Sequence, residues 1–487
     1  MTEPTRASGI DAVFAARRAE RKAPSAVWAT FDRHGVTHRG ASGTLGGDGA
    51  DGAAPGPDTA YRIASCTKSS TATVLLALRD TGALDLDAPV TDWVPAFTDV
   101  ALPTADSPVP TLRMLATMSA GFPTDDPWGD RQESLTDEGL DALLRRGLSF
   151  DSVPGTAFAY SNLGYALLGR VVAEASGRPY REVVEQDVLA PLGLDSTGFT
   201  TDVPAAGGLA IGHRRVGDGW EPLPFSGPGA FSPIGGLFST TDDLARWARW
   251  LGSAFDPDGE GDLDGILSRA SRREMQQLQR FVPGLGAHPG GYGLGLFVEH
   301  NTDHGTIVSH SGGYPGFSAH MRWHPATGVG AVGFENATYA QVSVPITLAL
   351  DGLLAETSAQ GTGFGSRVRP WPETFAARDA VEELVLGGGE PGDWLAENIE
   401  LDIPLERRRR TWGEAVESVG GLAPTSAEPL PDDESKAPSH LVWRRAGARG
   451  LLRLSLIHIS EPTRRQKNKK ALVLRNSQVT RRQNSLY

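Results

Sequence analysis

The rhythm of apolar and polar positions changes along the chain, and each change predicts an element. Residues 10–23 gather their apolar positions on one side of a helical wheel and predict a short amphipathic helix. "SAVWATFDRHGVTHRGASG" alternates instead, which predicts two strands about a turn at His34-Gly35. "GTLGGDGADGAAPGPD" has no period and reads as a flexible loop; it lacks the GK[ST] ending of a phosphate loop. From Ser65 to about Leu285 helical spacing dominates, broken by long loops. In "NLGYALLGRVVAEASG", Leu163, Leu167 and Val171 recur at i, i+4 and Gly177 closes the helix. "GGLFSTTDDLARWARWLG" predicts another, with Thr240 or Thr241 as N-cap and acids in its first turn. Between Tyr292 and Asn336 the period returns to that of strands. There "SAHMRWHPATGVGAVGFEN" reads as a hairpin turning at Pro325–Gly328.

Strands thus open and close the region 10–355, and helices fill its middle. The expectation is an α+β domain whose sheet comes from about 10–75 and 290–350, with a mostly helical part inserted over about 76–289. After a Pro-rich joint, "RVRPWPETF", residues 366–453 predict a separate small α+β module. Its helix is "LERRRRTWGEAVESVGGL" and its strands are "SHLVWRR" and "RGLLRLS". Residues 454–487 change character, with eight Lys/Arg against one Glu. "LSLIHISEPTR" resembles the translation of a transposase sequencing adapter. The expectation is that 454–487 is a non-native tail read through from inside the module.

Composition narrows the function. A length of 487 residues exceeds one ordinary core, so two or more domains are expected. A net charge of −13 argues against nucleic acid as partner. One cysteine, Cys66, excludes an intrachain disulfide framework and a Cys-ligated zinc cluster. No apolar run resembles a signal peptide or a membrane span, so the expected location is cytoplasmic, with no membrane partner.

Candidate chemistry begins with a lysine. Of 46 basic residues only six are lysine, and one of these, Lys68, stands three residues after Ser65 at the mouth of an apolar helix. At i, i+3 the two share a helix face. A serine hydroxyl needs a base to become a nucleophile; arginine never loses its proton, whereas a buried lysine can. The alternative is a helix start with a lysine reaching to solvent. In "AYSNLGY", Tyr160 and Asn162 bracket a second helix start; they are either a staple and a cap, or a second proton carrier and a substrate-binding amide. In "VSHSGGYPGF", His310 ends a strand-like run before Gly312 and Gly313. This is either a Gly/Pro loop, or an active-site edge strand with His310 toward substrate and the Gly313 N–H as oxyanion donor. Cys66 points about 100° away from Ser65 on a helix and reads as an ordinary buried thiol.

S-x-x-K (Ser65, Lys68), Y-x-N (Tyr160, Asn162) and H-x-G (His310, Gly312), in that order, resemble the serine β-lactamase and penicillin-binding-protein-like superfamily. The likeness is greatest to its class C branch, with its esterases and D-amino-acid peptidases, and covers roughly residues 10–350. Framing segments such as "PGTAFAYSNLGYALLGRVVAEASGRPY" and "YGLGL" extend it. The resemblance implies an antiparallel sheet flanked by helices, a mostly helical second part, and a site between them. It implies that Ser65 forms an acyl-enzyme and that Lys68 and Tyr160 share the acid and base work. It implies that Asn162 holds the substrate and that the Ser65 and Gly313 N–H groups form the oxyanion hole. His310 stands where class C β-lactamases carry the lysine of K-T-G, which points away from antibiotic hydrolysis. The expected substrate is a small ester, amide or peptide, with no cofactor and no metal. A true β-lactamase and a non-catalytic binding protein are the alternatives. A metallohydrolase fails on pattern, since His300 and His304 flank a turn and H-E-x-x-H is absent; no G-x-S-x-G elbow supports an α/β-hydrolase.

Overall fold

The computed structural model describes residues 7–46, 52–125, 128–256, 263–286, 288–357, 370–386, 403–422, 430–431 and 437–457. Helix α1 (Ala7–Ala19) leads into β1 (Ser25–Phe31) and β2 (Val36–Gly43). The turn between the strands falls at the expected place, because the Asp32 carboxylate accepts from the N–H groups of His34 (2.7 Å) and Gly35 (3.1 Å). Of the Gly-rich loop that follows, positions 47–51 lie outside the described residues.

The other strands come from the far end of the same region. They are β3 (Arg280–Phe281), β4 (Gly290–Tyr292), β5 (Phe297–Asn301), β6 (Gly305–Tyr314), β7 (Phe317–His324) and β8 (Val329–Glu335). Their order is β2-β1-β8-β7-β6-β5-β4-β3 with every pair antiparallel. The N-terminal hairpin joins β8, so the sheet is completed from both ends of the region, as the sequence predicts. The β7–β8 turn ends at Gly328, whose φ of +73° suits glycine.

Successive residues of β1 face opposite layers. Val27, Ala29 and Phe31 enter the large core, while Ala26 and Trp28 pack with Ile10, Phe14 and Ile346. The first layer holds α2 (Lys68–Asp80), α3 (Asn162–Ser176) and α4 (Thr241–Gly252). The second holds α1 and α5 (Ser343–Thr357). The caps follow the sequence: Thr240 Oγ1 accepts from Asp243 N at the start of α4, and Gly177 ends α3 in the left-handed conformation.

The inserted part also holds short strands that its helical spacing does not announce. It contains a hairpin, His213–Val216 with Gly219–Pro222, as well as β3. These strands are largely solvent-exposed or two residues long, so they carry no apolar period to read.

Contact density divides the chain into Met1–Gln360 and Gly361–Tyr487. In the second unit, α6 (Pro372–Val385), α7 (Leu405–Ser418), β9 (His440–Ala446) and β10 (Leu451–Ile457) surround a core of Val381, Trp443, Leu452 and Leu456. The strand β10 runs through 454, where the sequence suggests a boundary. It pairs with β9 as far as Ile457, because the period-two run Leu454-Ser455-Leu456 continues the strand pattern. Residues 367–369 of the Pro-rich joint and 458–487 of the basic tail lie outside the described residues. Among the described residues no helix is long and apolar enough to cross a membrane.

Candidate active site

Ser65 sits where the backbone is strained. Ala64–Thr67 form a 3-10 turn ahead of α2, rather than the helix itself, and Ala64 holds φ at +48°. A non-glycine residue there costs on the order of 1 kcal/mol or more, so its surroundings must impose it. Ile63 N donates to Leu237 O at 2.9 Å on one side of the turn. On the other side β6 lies so close that a Cβ on Gly312 would stand 2.2 Å from Ile63 O. The strand β5 pairs with β6 only as far as Ser309, so beyond it the free edge of β6 faces the Ser65 turn. Ser65 is 6% exposed, on the wall of the cavity described below.

Lys68 is wholly buried. Its Nζ lies 2.9 Å from Ser65 Oγ, 2.7 Å from Asn162 Oδ1 and 2.8 Å from Ile234 O. The last two are carbonyl oxygens, which only accept, so each fixes one N–H. The direction toward Ser65 works both ways. An ammonium donates to the hydroxyl; a neutral amine accepts the hydroxyl's proton. The Ser65 contact is thus the one of the three in which a proton can pass from partner to amine.

Asn162 was expected to bind substrate. Its Oδ1 is turned onto Lys68, and the side chain is fully buried against Gly129. Asp125 holds it there: Oδ1 accepts from Asn162 N (2.6 Å) and Oδ2 from Leu163 N (2.8 Å), a carboxylate seated on the N-terminus of α3. The Tyr160 ring centroid lies 5.1 Å from Lys68 Nζ, and the ring stands edge-on to Tyr292 on the cavity wall.

His310 was expected to reach toward substrate. It lines the cavity but is almost wholly buried, with both ring nitrogens committed to the protein. Nδ1–H donates to Ser311 O at 2.7 Å, so in the neutral ring Nε2 accepts from the Tyr292 hydroxyl at 3.0 Å. Burial, and next the positive charge of Lys68, lower its pKa to about 3. The imidazole is therefore neutral at pH 7. Cys66 is inert for a similar reason: its thiol donates to His310 O, and burial pushes its pKa up to about 12.

Gly313 is shielded by Tyr339, whose ring a Cβ on Gly313 would meet at 2.6 Å. The Tyr339 hydroxyl donates to buried Asp130 at 2.8 Å. Arg62 forms a buried ion pair with Glu133 and lies between the rings of Phe238 and Tyr314, 4.5 and 4.4 Å from its guanidinium carbon. Glu133 also accepts from Tyr314 (2.6 Å) and Ser226 (2.8 Å).

Sequence reasoning missed Ile234, Tyr292, Asp125 and Tyr339. The Ile234 carbonyl carries no side-chain signal, and Tyr292 was visible only as the head of "YGLGL". Among the described residues, no group of His, Cys, Asp and Glu is arranged to hold a metal.

A cavity of about 780 Å³ opens from Ser65 between Tyr160, Phe297 and Gly313. A serine beside the strained Ala64 and next to a buried lysine, at the edge of an antiparallel sheet under such a cavity, is the arrangement of a serine hydrolase. The chain belongs to the beta-lactamase family, whose profile matches residues 10–356. It is 30% identical to the esterase EstB of Burkholderia gladioli over 71% of this chain and 94% of that protein. It is 29% identical to the D-alanyl-D-alanine-carboxypeptidase/endopeptidase AmpH of Escherichia coli K12 over 57% and 71%. Among solved structures, a D-stereospecific amidohydrolase from Streptomyces is 25% identical with a TM-score of 0.58, covering 71% of this chain and 98% of that one. A class C beta-lactamase shares the fold with a TM-score of 0.59 at 17% identity, over 71% and 95%.

Proposed function

We propose that the chain hydrolyses small esters or amides by acyl transfer through Ser65, in the manner of the esterases and D-amino-acid amidases rather than the β-lactamases. The observation that supports the reading is the wholly buried Lys68 Nζ, 2.9 Å from Ser65 Oγ and held by the carbonyl oxygens of Asn162 and Ile234. Lys68 takes the serine proton as Oγ attacks the carbonyl carbon. The oxyanion forms beside the N–H groups of Ser65 and Gly313. Tyr160 relays the proton to the leaving group, and water then releases the acyl group by the reverse path. The neutral His310 offers no cation to a substrate carboxylate, which favours neutral esters and amides over β-lactams.

The test is a burst assay with p-nitrophenyl acetate on the full chain. About one equivalent of nitrophenol per enzyme, a matching acyl adduct by mass, and loss of both in Ser65→Ala are expected. Equal slow release from both proteins with no adduct refutes the reading.

A further inference from the structure

The cavity does not stop at the reaction zone. Beyond Ser311 it passes round the sheet edge to the face covered by α5. Strand register shows which residues meet there. Ser309 and Ser311 point away from His310. Their cross-strand neighbours are Arg322 and His320 on β7, while Glu299 on β5 stands opposite Ile307. All of these except Ile307 line the cavity, together with Thr347 and Asp351 from α5.

This back pocket is charged, and its charges do not balance. Arg322 is paired with Glu299 at 3.0 Å. Ser311 Oγ bonds His320 Nδ1 at 2.9 Å, and burial holds His320 neutral by pushing its pKa well below the usual histidine range. Asp351 is left over. Its Oδ1 is buried without a hydrogen-bond partner, and among the described residues no ion pair holds the carboxylate. Arg322, Glu299, His288 and His304 are the charged or titratable groups that face it. Arg322 Nε and His320 Nε2 also lack partners, yet the Arg322 charge is already met by Glu299. One half-buried carboxylate therefore stands without an ion pair of its own, its buried Oδ1 lacking a donor, in a pocket continuous with Ser65. The buried Oδ1 loses hydration without gaining a donor, and its complement is a cation.

We infer that this pocket binds the ammonium group of an amine-bearing substrate on Asp351, so that the preferred substrates are aminoacyl esters or amides. The inference rests on the proposed Ser65 chemistry for its kinetic readout, but the pocket can be tested by itself.

The first experiment compares kcat/KM on isosteric p-nitrophenyl ester pairs: β-alanyl with butyryl, 6-aminohexanoyl with heptanoyl, and 8-aminooctanoyl with nonanoyl. At one chain length the ammonium ester is preferred roughly tenfold. The ratio falls to about one in Asp351→Asn. It also falls in Thr347→Lys, where the new side chain lies at i, i+4 to Asp351 and supplies the ammonium internally. A ratio near one at every length, a preference that survives both variants, or a preference for the matching ω-carboxylate esters overturns the inference. If no ester acylates Ser65, the proposed reaction fails and the pocket is read by calorimetry on the full chain. Hexylammonium binding in preference to 1-hexanol, lost in Asp351→Asn, sustains the pocket. Equal or undetectable binding of the two overturns it.

Discussion

Gly312→Ala tests whether the approach of β6 to the Ser65 turn sets the reaction geometry. An added Cβ would meet Ile63 O at 2.2 Å and Ala64 Cβ at 3.1 Å. The nearest ordinary contact is about 3.4 Å, so strand and turn must part by roughly 1 Å. The obstacle is backbone, and it is pinned by the Ile63 N–Leu237 O bond, so no side chain can simply swing aside. Overpacking of this kind costs about 1–3 kcal/mol of stability. The rate falls as well, because the two proposed oxyanion donors lie on the parts being separated. A displacement of that size costs on the order of a hundredfold. The assay is kcat/KM for p-nitrophenyl acetate beside thermal melting. Gly35→Ala serves as control, since a Cβ there meets nothing within 4 Å. A Gly312→Ala enzyme within threefold of wild type would refute the reasoning.

Three further outcomes follow. Asn162→Asp places a carboxylate where Lys68 now meets an amide oxygen, which stabilises the ammonium; the pH at which kcat/KM rises moves up by about one unit or more, and an unmoved profile refutes the role given to Asn162. Arg62→Ala strands buried Glu133 and costs about 3–5 kcal/mol in urea unfolding, whereas a change under about 1 kcal/mol would show that the pair carries little of the fold. His310, His324 and His320 have folded pKa values of about 3, about 4 and well below 6.5, so between pH 6.5 and 4 the unfolded chain takes up protons that the folded chain refuses. Their contribution is complete above pH 6.5 and is lost as pH falls, at up to about 1.4 kcal/mol per unit for each histidine; His310→Gln removes one such share, and an unchanged slope contradicts the assignment.

The repetitive parts of this fold were legible because repetition is what a single sequence displays. The strands β1, β6, β7 and β8 and the helices α3 and α4 all carry a period, and the Thr240 and Gly177 caps carry local chemistry. The meeting of Ser65 and Lys68 was legible because their i, i+3 spacing is local, and the two side chains lie 2.9 Å apart. What stayed hidden was set by tertiary contact. The left-handed Ala64 is imposed by β6 and Leu237, not by its own side chain. The 2.7 Å contact between Asn162 Oδ1 and Lys68 joins two separate helix starts, which no local pattern records. His310 likewise owes its inward anchorage to Tyr292 and Ser311. The pocket around Asp351 joins β5, β6, β7 and α5 through register, which no local pattern records.

Arginine outnumbers lysine 40 to six in this chain, and the two buried cations beside Ser65 show why one of them is an exception. Arg62 has a permanent partner in Glu133 and two aromatic faces, so a permanent charge suits it. Lys68 meets two carbonyl oxygens and a hydroxyl; a guanidinium could not give up a proton there. The neighbour at 310 then matters electrostatically. Lys68 lowers the His310 pKa, and by the same coupling a cation at 310 would lower that of Lys68. With a neutral imidazole at 310, the proposed proton loss from Lys68 is favoured by burial and opposed by its two carbonyl acceptors. His310→Lys, the residue of the K-T-G relatives, should therefore shift the rise of kcat/KM to lower pH. A pH profile on a neutral ester reads this directly, and a shift upward, or none in a folded variant, would mean that Lys68 is not the group whose deprotonation starts the reaction.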